Sequence, residues 1–307
     1  MRDDAENGGS EVLRNDQLLG MAFATIAAVL WGFTIASSAL VPPGVSTAQI
    51  VWGRYGVQLL ILTVLVMPFR GTAMIRATRP GLQVLRGSMM VLMPVAFTLA
   101  IRRIGPSEAW AATWIAPLVG VVLGERLTSD KVEPLIWGLV VAATLGAILA
   151  HDPGSELLAT GLAAAVVSGA AFGAFLVLTR QLGGDGRSTG LFWTAASVFV
   201  PVSLVVGHSW QPITLRAAVG LTVMGTLWLL VLLSIDEALR RAPLALIAPF
   251  LLTEIIWNRF LFRVPWTIGG VVGSLVVLVS ALGCVRVALR TPRGAAPSFQ
   301  RNRIDHL

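Results

Sequence analysis

Apolar stretches of about 17 to 24 residues recur ten times along this chain, with only short polar breaks between them. A helix needs about 20 apolar residues to cross the hydrocarbon of a bilayer, and the runs lie at 18–40, 47–68, 84–101, 107–124, 134–150, 158–179, 189–207, 217–236, 243–262 and 266–285. Runs such as Leu227–Leu233 are apolar on every side, which a membrane barrel with its period-two alternation would not be. The spacing predicts an all-α membrane protein with ten transmembrane helices.

Composition agrees. Hydrophobic residues make up 55% of the chain and charged ones 13%, and the mean hydropathy of +0.79 lies well outside the usage of soluble domains. A net charge of +7 would suggest nucleic acid in a soluble protein, but in a membrane protein the placement of Lys and Arg sets the topology. With a cytoplasmic N-terminus, the inner loops hold Arg70, Arg76, Arg79, Arg86, Arg126, Lys131, Arg180, Arg187, Arg240 and Arg241, and the termini hold the rest of the inner set. The outer loops hold only Arg102, Arg103, Arg216 and Arg263, while Arg54 and Arg259 fall within spans. Both termini are therefore expected in the cytoplasm, the chain in the inner membrane as a multi-pass protein, and nucleic acid is not expected as a partner. Residues 1–17 and 289–307 read as disordered, the second as a basic tail near anionic lipid. No cleavable signal peptide is read, because the opening residues are acidic and polar and the first apolar run is too long for an h-region. Cys284 is the only cysteine, so a disulfide within the chain is impossible.

The chain also reads as written twice. Gly20 opens a span containing Trp31-Gly32, and Gly161 opens one that places Phe172-Gly173 in the same register. Later in each half an Arg-Arg pair, Arg102-Arg103 or Arg240-Arg241, precedes Ile115-Ala116-Pro117 or Ile247-Ala248-Pro249. Five spans per copy is an odd number, so the second copy must enter the membrane from the opposite side. The halves are expected at 18–150 and 158–288, as two inverted five-helix repeats.

Several of these residues resemble the EamA-type branch of the drug/metabolite transporter superfamily. The motifs are Ala27-Ala28-Val29-Leu30-Trp31-Gly32, Arg54 early in the second span, Ala116-Pro117-Leu118 through Leu123-Gly124-Glu125-Arg126-Leu127, Ala238-Leu239-Arg240-Arg241-Ala242-Pro243, Ala248-Pro249-Phe250, Trp257, and Trp266 through Gly273. The resemblance implies inverted repeats, a substrate cavity near the midplane and movement of small metabolites or drugs. Two departures stand out: the fourth and ninth spans run about one turn shorter after Pro117 and Pro249, and Phe262-Arg263-Val264-Pro265 stands where the second repeat of such proteins carries a Gly-Glu pair.

An ionisable group at membrane depth is costly and is retained for a pathway or a partner. Glu254 is the acidic residue nearest the middle of a span, with Trp257 and Asn258 following at i+3 and i+4 on the same helical face. It is the candidate proton carrier. The alternative reading has it fastening helices through Arg54 or Arg259, or sitting protonated and hydrogen-bonded. Arg54, with Gln58 one turn on, could line the cavity or reach the outer interface, whereas Arg259 is expected to snorkel. Asp236 and Glu237 have Arg240 and Arg241 four residues on and are expected to pair locally. Glu108 and Glu125 read as end groups of the fourth span.

Ten tryptophans stand against one tyrosine, several too deep for an interfacial belt. Trp110 and Trp114 share a face one turn before Pro117, where a kink is expected. Aromatic walls bind planar or cationic ligands, although lipid-facing or packing tryptophan is the commoner case. The substrate-binding candidates are thus Trp31, Arg54, Trp110, Trp114, Glu254, Trp257 and Asn258. Gly169-xxx-Gly173 and Gly269-xxx-Gly273 read as close-packing faces, and the run Gly183–Gly190 as a cytoplasmic turn without the ending of a phosphate loop. His151, His208 and His306 form no metal-ligand spacing, and neither a cofactor nor an enzyme activity is expected. The leading expectation is a secondary-active transporter of a small solute, monomeric or homodimeric in the lipid bilayer, using a gradient such as protons. The rivals are a membrane-embedded enzyme acting on a lipid or isoprenoid head group, for which the clustered His, Asp or Ser is lacking, and a non-transporting scaffold.

Overall fold

The computed structural model describes residues 2–127, 131–154 and 158–290, with side chains from Val12 onward. Every regular element among them is helical: α1 Arg2–Ser37, α2 Thr47–Ile61, α3 Met67–Arg70, α4 Pro80–Ile104, α5 Pro106–Thr113, α6 Ala116–Leu127, α7 Pro134–Ala150, α8 Ala159–Gln181, α9 Arg187–Val205, α10 Leu215–Arg241, α11 Leu244–Leu251, α12 Glu254–Phe262 and α13 Ile268–Arg290. Nine helical segments of the described chain are long and apolar enough to cross a membrane. The fifth expected span is α7, at 17 residues a shorter apolar helix; Pro134 fixes its start and the chain turns off after Ala150.

Local chemistry sets the helix ends. A capping box opens α2, where the Ser46 hydroxyl accepts from Gln49 N and the Gln49 side chain accepts from Ser46 N. Thr214 caps α10 in the same way at Ala217 N. Proline opens α4, α5 and α7, where its missing N–H has no helical partner to lose. Gly105 divides α4 from α5 at φ +88°, a left-handed conformation that suits glycine. The second span is interrupted by a π-helical stretch, Leu62–Val66, just ahead of Pro68.

Two spans are broken rather than kinked. The fourth parts at Trp114-Ile115, between α5 and α6. Pro117 cannot donate to Thr113 O, so the break falls three residues ahead of the proline, not at it. The ninth parts at Leu252-Thr253, three residues beyond Pro249, between α11 and α12. There the Thr253 N–H and hydroxyl both turn to Phe250 O, at 3.2 and 2.6 Å, a side-chain competition that helps end the helix.

Lipid supplies no hydrophobic drive between helices, so close backbone approach has to hold them. The two small-residue faces do this. A Cβ at Gly169 would stand 2.6 Å from Thr113 O and one at Gly173 2.6 Å from Ala116 O, so α8 lies directly on the α5–α6 break. Gly273 packs on Gly146 and Ala150, joining α13 to α7. Around these seams α1 packs on α10, α4 on α8 and α9, and α2 on α9 and α10. Outward-facing Leu, Val and Phe such as Leu60, Val95, Leu145 and Val279 clothe the exterior.

One end of the bundle is tied by polar groups. Asp185, in the turn between α8 and α9, accepts from Thr78 N and Oγ1 and from Gln83 Nε2. Arg86 donates to Gly190 O and Thr194 Oγ1. Arg240 reaches Asp185 O at 3.0 Å and pairs with Asp236, and Glu237 pairs with Arg241 and Arg187. The local pairing expected of Asp236 and Glu237 is thus present and joined into a larger network. Because α4 starts at this end, Arg102 and Arg103 at its far terminus lie at the opposite end from Arg240 and Arg241. Residues 12–17, assigned by composition to a disordered leader, are helical turns of α1: Gln17 is buried and Asp16 pairs with Arg241 at 2.9 Å. Residues 291–307 lie outside the described chain.

Candidate functional site

At the centre of the bundle four spans contribute one large ring each. Trp31 of α1 meets Phe172 of α8 edge-on with centroids 5.2 Å apart, Trp228 of α10 edge-on at 5.1 Å, and Trp114, at the α5–α6 break, at 5.7 Å. All four are buried. Trp110 stacks on Trp114 at 6.1 Å and meets Phe97 of α4 at 4.3 Å; Phe175 stacks on Phe172. Edge-to-face and offset arrangements at these separations suit the ring quadrupoles.

A cation is set into this cluster. The Arg54 guanidinium of α2 lies 4.1 Å from the centre of the Trp228 ring, and Trp228 Nε1 donates to Tyr55 Oη at 3.1 Å, which fixes the indole for that contact. Arg54 Nε and Trp114 Nε1 are buried with no hydrogen-bond partner. An aromatic wall with unspent N–H donors can stack a flat or apolar solute and hydrogen-bond an acceptor on it.

Glu254 is the first residue of α12 and is almost wholly buried, at 1% exposure. Its Oε1 accepts from Asn258 Nδ2, while its Oε2 and Asn258 Oδ1 have no partner. This pair presses on α1 at Gly32, where a Cβ would stand 2.8 Å from Asn258 Oδ1. Glu254 therefore adjoins the aromatic cluster along α1, one residue from Trp31. Neither Arg54 nor Arg259 pairs with it among the described residues. Trp257 donates to Thr253 Oγ1 at 3.3 Å across the α11–α12 break and forms no ring contact with the cluster among the described residues.

The structure thus gathers Trp31, Trp110 and Trp114 directly, Arg54 through Trp228, and Glu254 with Asn258 beside them. Other expectations need revision. Gln58 does not share a lining with Arg54; it is fully buried and donates to Leu191 O of α9. Arg259 does not snorkel: it is 7% exposed and donates to Ala150 O and Pro265 O, closing the carbonyl end of α7. Glu125 accepts from Trp137 Nε1 and Val132 N, and Glu108 from Gly154 N, the end-group roles expected of them. Tyr55 and Trp228 were not singled out by the sequence. Their one available signal was depth, since Trp228 stands in mid-span far from either interface. His151 is held by burial well below the usual imidazole value, to about 4, against the pull of its hydrogen bond to Ala147 O. No group of three or more His, Cys, Asp or Glu suited to a metal occurs among the described residues.

No protein-family model matches the chain, and no curated protein matches it. A solved structure described only as a crystal structure of a protein resembles it with a TM-score of 0.73 at 12% identity, over 88% of this chain and 98% of that one. At that identity the likeness speaks to the fold alone: nearly the whole helical arrangement is shared with a protein of that length.

Proposed function

We propose that the chain is a secondary-active transporter of the EamA type, built as ten transmembrane helices in two inverted five-helix repeats. It moves a small metabolite or drug-like solute across the cytoplasmic membrane by alternating access, with both termini in the cytoplasm. The observation that carries this reading is the meeting of Trp31 and Phe172, two residues in equivalent positions of the repeats, at the centre of the molecule. Residues related by a two-fold axis touch only where they lie near that axis.

The rest of the packing follows the same exchange of halves. The contact of α1 with α10 is matched by that of α8 with α4, and α2 on α10 by α9 on α4. The broken α5–α6 lies on α8 as the broken α11–α12 lies on α1. Gly32 and Gly173, in the same register, each receive the broken span of the other half, Gly32 at Asn258 of α12 and Gly173 at Ala116 and Gly120 of α6. Broken helices at a repeat interface leave polar backbone where a solute can be held. Rocking one half on the other would part the aromatic cluster toward one face at a time, with Trp31, Arg54, Trp110, Trp114, Glu254, Trp257 and Asn258 as its lining and Glu254 as the candidate proton carrier.

The test is a thermal-shift screen of the purified protein against a metabolite library, since a ligand of the folded state raises its apparent stability, followed by counterflow of each hit in proteoliposomes. A hit should exchange across the vesicle and lose both binding and exchange in Trp31→Ala. Hits that bind without exchanging, or accessibility mapping that finds Arg102-Arg103 and Arg240-Arg241 open to one compartment, would remove the reading.

A further inference from the structure

A cavity of about 330 Å³ opens on the flank of the bundle between α7 and α13, lined by Glu133, Leu135, Leu139, Gly283, Arg286 and Arg290. It lies at the end that carries the Arg240 network. Gln181 Nε2 of α8 reaches Leu127 O at the close of α6, and Arg180 reaches Leu239 O and Ala242 O beside the close of α10. The start of α7 follows a few residues after Leu127, and α13 runs antiparallel to α7, since Gly273 meets Gly146 while Gly283 meets Leu139. The mouth therefore sits where the hydrocarbon gives way to the head groups.

Three charges surround it that form no ion pair among the described residues. Arg286 and Arg290 are one turn apart on a single face of α13, both are exposed, and neither forms an ion pair or hydrogen bond among the described residues. Glu133 stands at the N-cap of α7, but its side chain accepts no bond from the helix start. Below this mouth the wall is hydrocarbon, formed by Leu135, Leu139 and Val287, with Leu135 62% exposed. Two guanidinium groups beside one carboxylate complement a phosphate with an ammonium attached, and the leucines complement an acyl chain.

We propose that this groove binds the head group of a zwitterionic aminophospholipid. Arg286 and Arg290 take the phosphate through charge-assisted bonds, Glu133 takes the primary ammonium, and an acyl chain runs down Leu135 and Leu139. A quaternary ammonium has no N–H to give Glu133, and a glycerol head group offers no charge to it, so the site discriminates among phospholipids. It rests on side chains remote from the aromatic cluster and is independent of the transport reading.

The full chain in detergent is titrated with phosphatidylethanolamine, phosphatidylcholine and phosphatidylglycerol of matched acyl chains, and bound lipid and oligomeric state are read by native mass spectrometry. Phosphatidylethanolamine should be retained about fivefold better than the other two, the ratio that roughly 1 kcal/mol provides. Arg286→Gln with Arg290→Gln should lower retention of all three, and Glu133→Gln should erase the preference while leaving phosphatidylglycerol bound at least as well. The melting temperature of each variant in lipid-free detergent checks that the fold survives. Equal retention of the three lipids, a preference for phosphatidylglycerol in the unaltered chain, a preference untouched by the substitutions, or a lipid-free dimer that covers α7 and α13 would overturn the assignment.

Discussion

The guanidinium carbon of Arg54 sits 4.1 Å above the indole of Trp228, which in turn donates to the hydroxyl of Tyr55, the residue next to Arg54 in α2. A charge at membrane depth is thereby met by a ring face instead of a carboxylate. Cation–π contacts contribute about 0.5–2 kcal/mol, the upper part of that range when desolvated. Trp228→Leu removes the face and the N–H together and should lower stability by about 2–4 kcal/mol, as large-to-small changes in cores do. Trp228→Phe keeps a face and should cost less. Thermal unfolding of the two variants in detergent measures the difference; equal losses would mean that the ring face contributes nothing to holding Arg54.

Asp185 carries a prediction about acid. Burial pushes its carboxyl upward, but the hydrogen bonds from Thr78 and Gln83 and the charge of Arg86 outweigh that and hold it below the ordinary carboxylate value. A depressed folded value means that its stabilisation is present above the unfolded value and is lost as pH falls through the folded one. Asp185→Asn sets an amide N–H against Gln83 Nε2 and should cost about 1–3 kcal/mol at neutral pH. The gap between variant and parent should close as the pH drops below about 4. Melting temperatures across pH 3 to pH 7 read it directly, and a gap that stays constant would mean that the carboxylate charge is not what ties this turn to α4.

The helical class, the places of the spans and the two small-residue faces were legible because each rests on local periodicity. Twenty apolar residues in a row have one solution in lipid, and a glycine every fourth residue marks a close approach whatever the partner. Partners across the bundle were not legible. Gln58 follows Arg54 by one turn, and helical geometry alone puts them side by side; that Gln58 turns to Leu191 O is decided by where α9 lies. Arg259 shows the same limit. Its place near a helix end suggested water, yet the open carbonyls at the close of α7 lie nearer. The break at Trp114-Ile115 precedes Pro117 because the N–H that proline lacks would have donated to Thr113 O four residues back, and Gly169 lets α8 come against that carbonyl.

Gly173 tests whether that contact is needed. An added methyl would stand 2.6 Å from Ala116 O and 2.9 Å from Gly120 N, both backbone atoms that cannot swing aside. Overpacking of this kind costs about 1–3 kcal/mol. Gly173→Ala should therefore lower the melting temperature, while Gly184→Ala, whose new methyl would meet nothing within 4 Å, should leave it nearly unchanged. Equal behaviour of the two would show that α8 is free to move away from the α5–α6 break.

Glu254 offers the sharpest separation between structure and mechanism. Its Oε1 is bonded to Asn258 and its Oε2 faces no donor, so Glu254→Gln keeps the shape, leaves the Asn258 bond an acceptor and removes only the ability to gain and lose a proton. The variant should fold with a melting temperature close to that of the parent, because the amide keeps the volume of the side chain and the acceptor for Asn258. On the proposed transport reading, uptake by the variant in proteoliposomes should lose pH dependence if Glu254 carries the coupled proton. Asn258→Leu is the companion: it removes the partner and keeps the carboxylate, so pH dependence should persist with a displaced midpoint. Uptake of an identified solute between pH 5.5 and pH 8 decides it, and an unaltered profile in Glu254→Gln would assign the proton to another group or to none.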